Sequence, residues 1–331
     1  MKDGKLGVAL VGLGMYSEGQ LAPALDKTIH CYMAGAVSGS AHKLEIWKEK
    51  FGLKEGACYT YHNFDTIKDN PAIDIIYVAL PNSLHAEFVV AAARAGKHVI
   101  CEKPMAITVE DCDRMIAACK EAGKMLSIGY RLHFEPHNKE AMRLGQQRLF
   151  GSVKLVEAAH SLNKVEGWRL DKKLAGGGPL MDVGIYCVQA ARYVTGSEPV
   201  AVTAQEGLKK DHTKFKDVEE SIEWQMEMAD GSIAHCSSSY SVKENRFRVE
   251  AERGWFELSP AYPYSGVKGK TSEGEMNFPQ VPQQALQMDD FALCIKEGRQ
   301  TSVPGEEGRQ DVKVLQAIYK AMKTGERVEI N

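Results

Sequence analysis

The chain has 331 residues, more than twice the roughly 150 of an ordinary domain, so two domains with separate cores are expected. Hydrophobic residues make up 44% and charged residues 26%, ordinary globular usage that excludes disordered, collagen-like and coiled-coil classes. The 41 basic and 44 acidic residues leave a formal charge of -3, so neither nucleic acid nor an anionic membrane is an expected partner.

No apolar run approaches the ~18 residues of a membrane span. The opening Met1-Lys2-Asp3-Gly4-Lys5 leads straight into an apolar run and lacks signal-peptide form. The eight cysteines at 31, 58, 101, 112, 119, 187, 236 and 294 form no CxxC pair. A reducing, cytoplasmic setting is expected, without a disulfide framework or zinc knuckle.

Residues 6–11 are a continuous apolar run, the mark of a strand buried on both faces. Val11-Gly12-Leu13-Gly14-Met15-Tyr16-Ser17 then sets G-x-G-x-x-S between that strand and a helix. Gly12 suits a tight turn, Gly14 lets backbone approach a pyrophosphate, and the third position must be small where helix and strand pack. Ser17 departs mildly from the usual Gly or Ala there. The helix N-terminus would offer N–H groups to the phosphates.

Residues 32–37 form the second strand. Its tip, Ser38-Gly39-Ser40-Ala41-His42-Lys43, carries no acid to accept from a ribose 2′-hydroxyl. Two hydroxyls and a lysine gather where a 2′-phosphate would sit, which argues for NADP over NAD. The plainer reading is a serine N-cap beside a solvated lysine. Helices at 41–51, 84–95 and 109–122 alternate with strands at 73–80, 98–101 and 125–128. This alternation predicts a doubly wound parallel sheet over residues 1–130.

After Tyr130 the rhythm changes. A helix near 136–144 precedes a strand at 153–161. Alternating stretches at 200–205, 219–228, 232–240, 247–252 and 255–258 predict a mostly antiparallel, open-faced sheet with helices on one side, over residues 131–331. Ala229-Asp230-Gly231-Ser232 is a hairpin signal. Residues 259–283 read as loop, and 311–322 as an amphipathic helix. The fold class is therefore α/β plus α+β.

Farther along come Leu80-Pro81-Asn82-Ser83-Leu84-His85, Cys101-Glu102-Lys103-Pro104 and Gly129-Tyr130-Arg131. Trp168-Arg169-Leu170, residues 176–186 (GGGPLMDVGIY) and Pro304-Gly305-Glu306-Glu307-Gly308 follow. With these motifs the whole chain resembles the glucose-fructose oxidoreductase / inositol dehydrogenase (Gfo/Idh/MocA) family, nearest its glucose-fructose branch. The resemblance implies a Rossmann domain, a nicotinamide cofactor and a homodimer or homotetramer formed through the second sheet. It implies cofactor contacts from Gly12, Leu13, Gly14, Met15 and Tyr16, and from Ser38, Gly39, Ser40, Lys43 and Tyr61. Further contacts are implied from Leu80, Pro81, Asn82, Leu84 and His85, and from Glu102, Lys103, Arg131, Trp168 and Arg169. Substrate residues are implied to be Lys103, Tyr130, Asp182 and Tyr186, with Lys103, Asp182 and Tyr186 catalytic and no metal.

These residues also make chemical sense alone. Lys103 ends a buried strand, at the sheet edge where doubly wound folds bind ligands. Asp182 and Tyr186 are four apart and share one face if 181–193 is helical. Gly176-Gly177-Gly178 is expected to give that helix a flexible, close-packing approach. A phenol is a weak base at neutral pH, so Tyr186 would need a nearby cation, for which Lys103 is the candidate. His133 and His137 form HxxxH around Pro136, with no third ligand nearby, and read as surface residues. The aromatics Trp255, Phe256, Tyr262 and Tyr264 read as sheet packing.

The expected activity is NADP-linked hydride transfer on a sugar or sugar-like carbonyl or hydroxyl. Anhydrofructose, xylose or an aromatic dihydrodiol are alternative substrates implied by the resemblance. A non-catalytic NADP-binding sensor is the reading from another class. The open face of the second sheet is expected to need cover. Ile222, Trp224, Met226 and Met228 point one way and Glu223, Gln225 and Glu227 the other, so a partner surface there would be mixed polar.

Overall fold

The computed structural model describes residues 4–330. The start of the chain, Met1 to Asp3, where the signal-peptide expectation falls, lies outside the described residues. Two compact units emerge: residues to 131 with 282–309, and residues 132–281 with those from 310. The chain first passes from one unit to the other between Arg131 and Leu132. Residues 282–309 then return to the first unit.

In the first unit, strands β1 (Leu6–Val11), β2 (Cys31–Val37), β3 (Cys58–Tyr59), β4 (Ile75–Val78), β5 (His98–Cys101) and β6 (Leu126–Ile128) form a parallel sheet in the order β3-β2-β1-β4-β5-β6. All six residues of β1 are buried, because the central strand is covered on both faces. The helix Ala41–Phe51 starts at Ser40, and Val109–Glu121 at Thr108, whose hydroxyl accepts from Asp111 N at 3.1 Å. The helix Gln283–Glu297 has no expectation in the sequence reading. Its Ala285, Met288, Phe291 and Ala292 join the core of β1 and β2. Its Asp289 accepts from the backbone N–H groups of Ile29 and His30 at 3.0 and 2.7 Å.

The second unit holds β7 (Val153–His160), β8 (Pro199–Glu206), β9 (Ser221–Met228), β10 (Ile233–Ser239), β11 (Asn245–Ala251), β12 (Gly254–Leu258), β13 (Gly269–Thr271), β14 (Gly274–Met276) and β15 (Val328–Glu329). Among the described residues they form one sheet in the order β14-β13-β12-β11-β7-β10-β9-β8-β15, antiparallel except for β7 against β10. The span expected as loop at 259–283 thus contains two short strands that extend the sheet.

Register sorts the two faces. Phe256, Val249, Val156, Ala234, Met226 and Val202 are cross-strand neighbours in one buried row. The next row runs Lys270, Glu257, Arg248, Glu157, His235, Gln225 and Thr203. The helices Pro136–Gln146 and Ile185–Thr195 pack on the sheet. Its apolar row is buried and its other face is polar, with Arg248 stacked 4.1 Å over Trp255 and bonded to Glu250 and Glu257.

His133 and His137 are not surface residues. His137 is buried with Nδ1 2.8 Å from Glu135 Oε1, and the His133 ring packs edge-on to Tyr193 at 4.3 Å. No described helix is long and apolar enough to cross a membrane.

Candidate active site

Gly12 has φ +92°, and a Cβ there would collide with Ala79 O, so only glycine fits. Ser17 Oγ donates to Gly12 O at 2.5 Å and is buried. The serine at the third position is therefore small enough for the packing and also ties the turn shut. A Cβ at Gly14 would meet no atom within 4 Å, and Met15 beside it is 81% exposed. Leu13 is buried, and Tyr16 is partly so. Open space beside Gly14 at a helix start fits a dinucleotide pyrophosphate.

At the tip of β2, Ser38 Oγ accepts from Ser40 N at 3.1 Å, and Ser40 Oγ caps the following helix by accepting from Lys43 N at 3.4 Å. The N-cap reading of Ser40 is thus correct, yet a hydroxyl that accepts still has its hydrogen to donate. Lys43 is exposed. Tyr61 covers the turn: its phenol bonds the Gly39 backbone, and a Cβ on Gly39 would come within 2.9 Å of its ring.

Lys103, half-buried, follows β5 through a buried carboxylate. Glu102 accepts from Tyr77 Oη at 2.8 Å, from Lys103 N at 3.3 Å, and from Tyr16. Gln287 Nε2 donates to Tyr77 Oη at 3.1 Å. Burial pushes the Glu102 carboxyl above the usual range, against Lys103 and these bonds. A Cβ on Gly129 would lie 2.6 Å from Glu102 Oε1, so this glycine makes room for the acid.

The His85 ring is fully buried, with Nε2 2.9 Å from Leu80 O and Nδ1 3.0 Å from Pro104 O. The expectation that His85 contacts cofactor gives way to a clamp between the end of β4 and the turn after Lys103. Leu80 and Asn82 are buried, whereas Pro81 and Leu84 are partly exposed. Tyr130 is buried, and Arg131 donates to Gln283 Oε1 at 2.5 Å.

In the second unit, Asp182 lies in a π-helical turn, Leu180–Gly184, that runs into the helix Ile185–Thr195 bearing Tyr186. Such turns recur at functional sites. Asp182 Oδ2 accepts from Arg169 Nε at 3.0 Å and Tyr240 Oη at 3.2 Å. The Arg169 guanidinium lies 4.7 Å over the Trp168 ring. Burial first, then the Asp182 charge, pushes the Tyr240 phenol well up, so it acts as a donor. Tyr186 is 8% exposed, with its ring 5.2 Å from His160 and 5.8 Å from Tyr262, which themselves stack at 4.7 Å. Tyr262 is buried and packs against both rings, in keeping with its reading as a packing aromatic. Tyr240 and His160 carry no motif or spacing signal in the sequence.

A Rossmann unit with an open phosphate turn, joined in one chain to a mostly antiparallel sheet unit whose π-turn and helix bear Asp182 and Tyr186, defines a nicotinamide-dependent oxidoreductase. Residues 6–130 match the model described as "Oxidoreductase family, NAD-binding Rossmann fold", and residues 139–257 match the "GFO/IDH/MocA C-terminal domain". The chain belongs to the Gfo/Idh/MocA oxidoreductase family.

It is similar to the crystal structure of an aldose-aldose oxidoreductase from Caulobacter crescentus complexed with glycerol. That likeness is 44% identity and TM-score 0.95 over 98% of this chain and 99% of the other. It is 29% identical to a D-xylose 1-dehydrogenase [NADP(+)] of Haloarcula marismortui, over 99% of this chain and 94% of the relative. It is also 29% identical to a 1,5-anhydro-D-fructose reductase of Ensifer adhaerens, over 84% and 88%.

Proposed function

We propose that the chain is an NADP-preferring sugar oxidoreductase, moving a hydride between nicotinamide and a CH–OH or carbonyl carbon of an aldose or related sugar. The observation that carries this is Asp182, held by Arg169 and Tyr240, with Tyr186 one helical turn onward. The relatives support the substrate class: two are named for xylose and anhydrofructose and one for aldoses.

Bound nicotinamide supplies a ring carbon that accepts or donates the hydride. Tyr186 Oη takes the proton from the sugar hydroxyl as its carbon is oxidised, and returns it in reduction. Lys103 Nζ bonds the substrate oxygen and favours negative charge there. Asp182 accepts from neighbouring sugar hydroxyls, while Arg169 and Tyr240 fix its plane. Gly12 to Tyr16 hold the pyrophosphate. The donors of Ser38 and Ser40, with Lys43 at a helix N-terminus, suit a 2′-phosphate. A non-catalytic sensor would lack one of Lys103, Asp182 or Tyr186, and the chain has all three. A cytoplasmic, oligomeric enzyme is the matching setting.

The test is a sugar panel followed by the absorbance of reduced nicotinamide, in wild type, Tyr186→Phe and Lys103→Ala. Positioned acid–base catalysis contributes about 10²–10⁴-fold, and Tyr186→Phe is expected to lose that much turnover with cofactor binding intact. Lys103→Ala is expected to be at least as damaging. Turnover near wild type in Tyr186→Phe alone moves the proton transfer to Lys103. The same result in both variants overturns the site.

A further inference from the structure

The turn before Asp182 is gripped by a buried acid that the proposed chemistry does not use. Glu219, only 4% exposed, accepts through Oε2 from Gly178 N at 2.9 Å. Its Oε1 accepts from Leu180 N at 3.2 Å and Tyr319 Oη at 2.7 Å. These two N–H groups stand where the Asp182 segment begins, and helix starts leave such donors without intrahelical acceptors. A carboxylate there also meets the positive end of the helix dipole.

Two of the three glycines are explained by room, and the first by its backbone conformation, rather than by looseness. A Cβ on Gly177 would overlap the Tyr319 hydroxyl, and one on Gly178 would lie 2.5 Å from Glu219 O. Of the three, only Gly176 has positive φ, at +82°. Ser238 Oγ holds Pro179 O from the other side at 3.0 Å. The expected flexible approach is a fixed one.

Two routes lead from Glu219 and its neighbour to Asp182. Asp182 N donates to Gly178 O at 3.2 Å, so movement of Gly178 displaces Asp182 directly. Tyr240 N donates to Glu220 O at 2.9 Å, and the Tyr240 phenol bonds the Asp182 carboxylate.

We infer that Glu219 is a positioning residue for the sugar-binding Asp182 and the proton-transferring Tyr186, with Tyr319 as its support. The inference rests on the roles proposed above for those two residues. The acid is chemically specific. A glutamine offers one acceptor oxygen, and its amide nitrogen would face the N–H of either Gly178 or Leu180, setting donor against donor. Small misplacements of reacting groups can cost on the order of 10²-fold in rate.

The experiment is steady-state kinetics on wild type, Glu219→Gln, Tyr319→Phe, Asp182→Asn and the double variant Glu219→Gln/Asp182→Asn, with cofactor affinity from fluorescence titration. Glu219→Gln is expected to lower kcat by about 10- to 100-fold, with cofactor Kd unchanged. Tyr319→Phe, the gentler change should Glu219→Gln fail to fold, is expected to lower kcat severalfold in the same way. In the Asp182→Asn background the Glu219→Gln loss is expected to shrink sharply, because residues acting as a unit are not additive. Fully multiplicative losses, or wild-type kcat in folded Glu219→Gln and in Tyr319→Phe, overturn the inference while leaving the site intact. Wild-type turnover in Asp182→Asn overturns the site reading and this inference together.

Discussion

Ser40 holds a helix start and still keeps a hydrogen for a ligand, so its capping bond does not decide the cofactor. Lys43, exposed in that turn, is the residue we expect to decide it. Loss of one charge-assisted bond costs roughly 1.5–3 kcal/mol. Lys43→Ala is therefore expected to weaken NADP about tenfold or more while NAD is unchanged, as read by titration of protein fluorescence. Equal losses for both cofactors would reject the assignment. His133 offers a stability test. Burial, then Arg192 and Lys139, push its pKa down to about 4, whereas the unfolded chain returns it to ~6.5. Between these values the unfolded state binds the extra proton, so stability is full above about pH 6.5 and falls as pH drops toward 4. Thermal unfolding across that window should show the loss. His133→Gln should flatten it by about one proton, or at most ~1.4 kcal/mol per pH unit. An unchanged slope would show that other groups carry the acid sensitivity.

Among elements, the contact between Pro136–Gln146 and Ile185–Thr195 is the tightest test of packing. A Cβ on Gly145 would overlap Val194 O, so the two helices meet backbone to backbone. Overpacking such a contact costs about 1–3 kcal/mol. Gly145→Ala should lower Tm by several degrees, and an unchanged Tm would mean that the helices separate freely. The elements that were legible in sequence owe it to strong local pattern: β1 as an unbroken apolar run, β9 as strict alternation. The helix Gln283–Glu297 was not, because buried Gln283, Gln284, Gln287 and Asp289 interrupt its apolar period. β13 and β14 were missed because their pairing comes from β12, across a stretch with turn-like composition. Lys103 in the first unit, and Asp182 and Tyr186 in the second, each stand in compact motifs. Glu219 and Tyr240 lie far along the chain from the residues they hold, and no spacing announces a contact made by folding.

For the whole molecule, the polar row of the second sheet bears on assembly. We expect a dimer or tetramer through that face. Arg248, Glu257, Glu157 and Lys270 would then stand in its interface, and salt screens such charges. Light scattering should show an oligomer that weakens as ionic strength rises. A monomer at every concentration would refute it, and a salt-independent oligomer would place the interface elsewhere.

The return of residues 282–309 to the first unit has a consequence for how the protein is made. The chain leaves the first unit after 131, re-enters it at 282 and leaves again after 309. A ribosome that has delivered only the six strands of the Rossmann sheet has not delivered Met288, Phe291 and Ala292, which complete its core, or Asp289, which holds Ile29 and His30. Domains usually fold in order as they emerge, but here the first must wait until residues 282–309 have been made. The second waits longer still, since β15 closes the edge of its sheet with Val328 and Glu329. Nascent chains cut short before residue 282 should expose apolar surface and be cleared by proteases, so that synthesis past 309 is a condition for the first unit to mature and past β15 for the second.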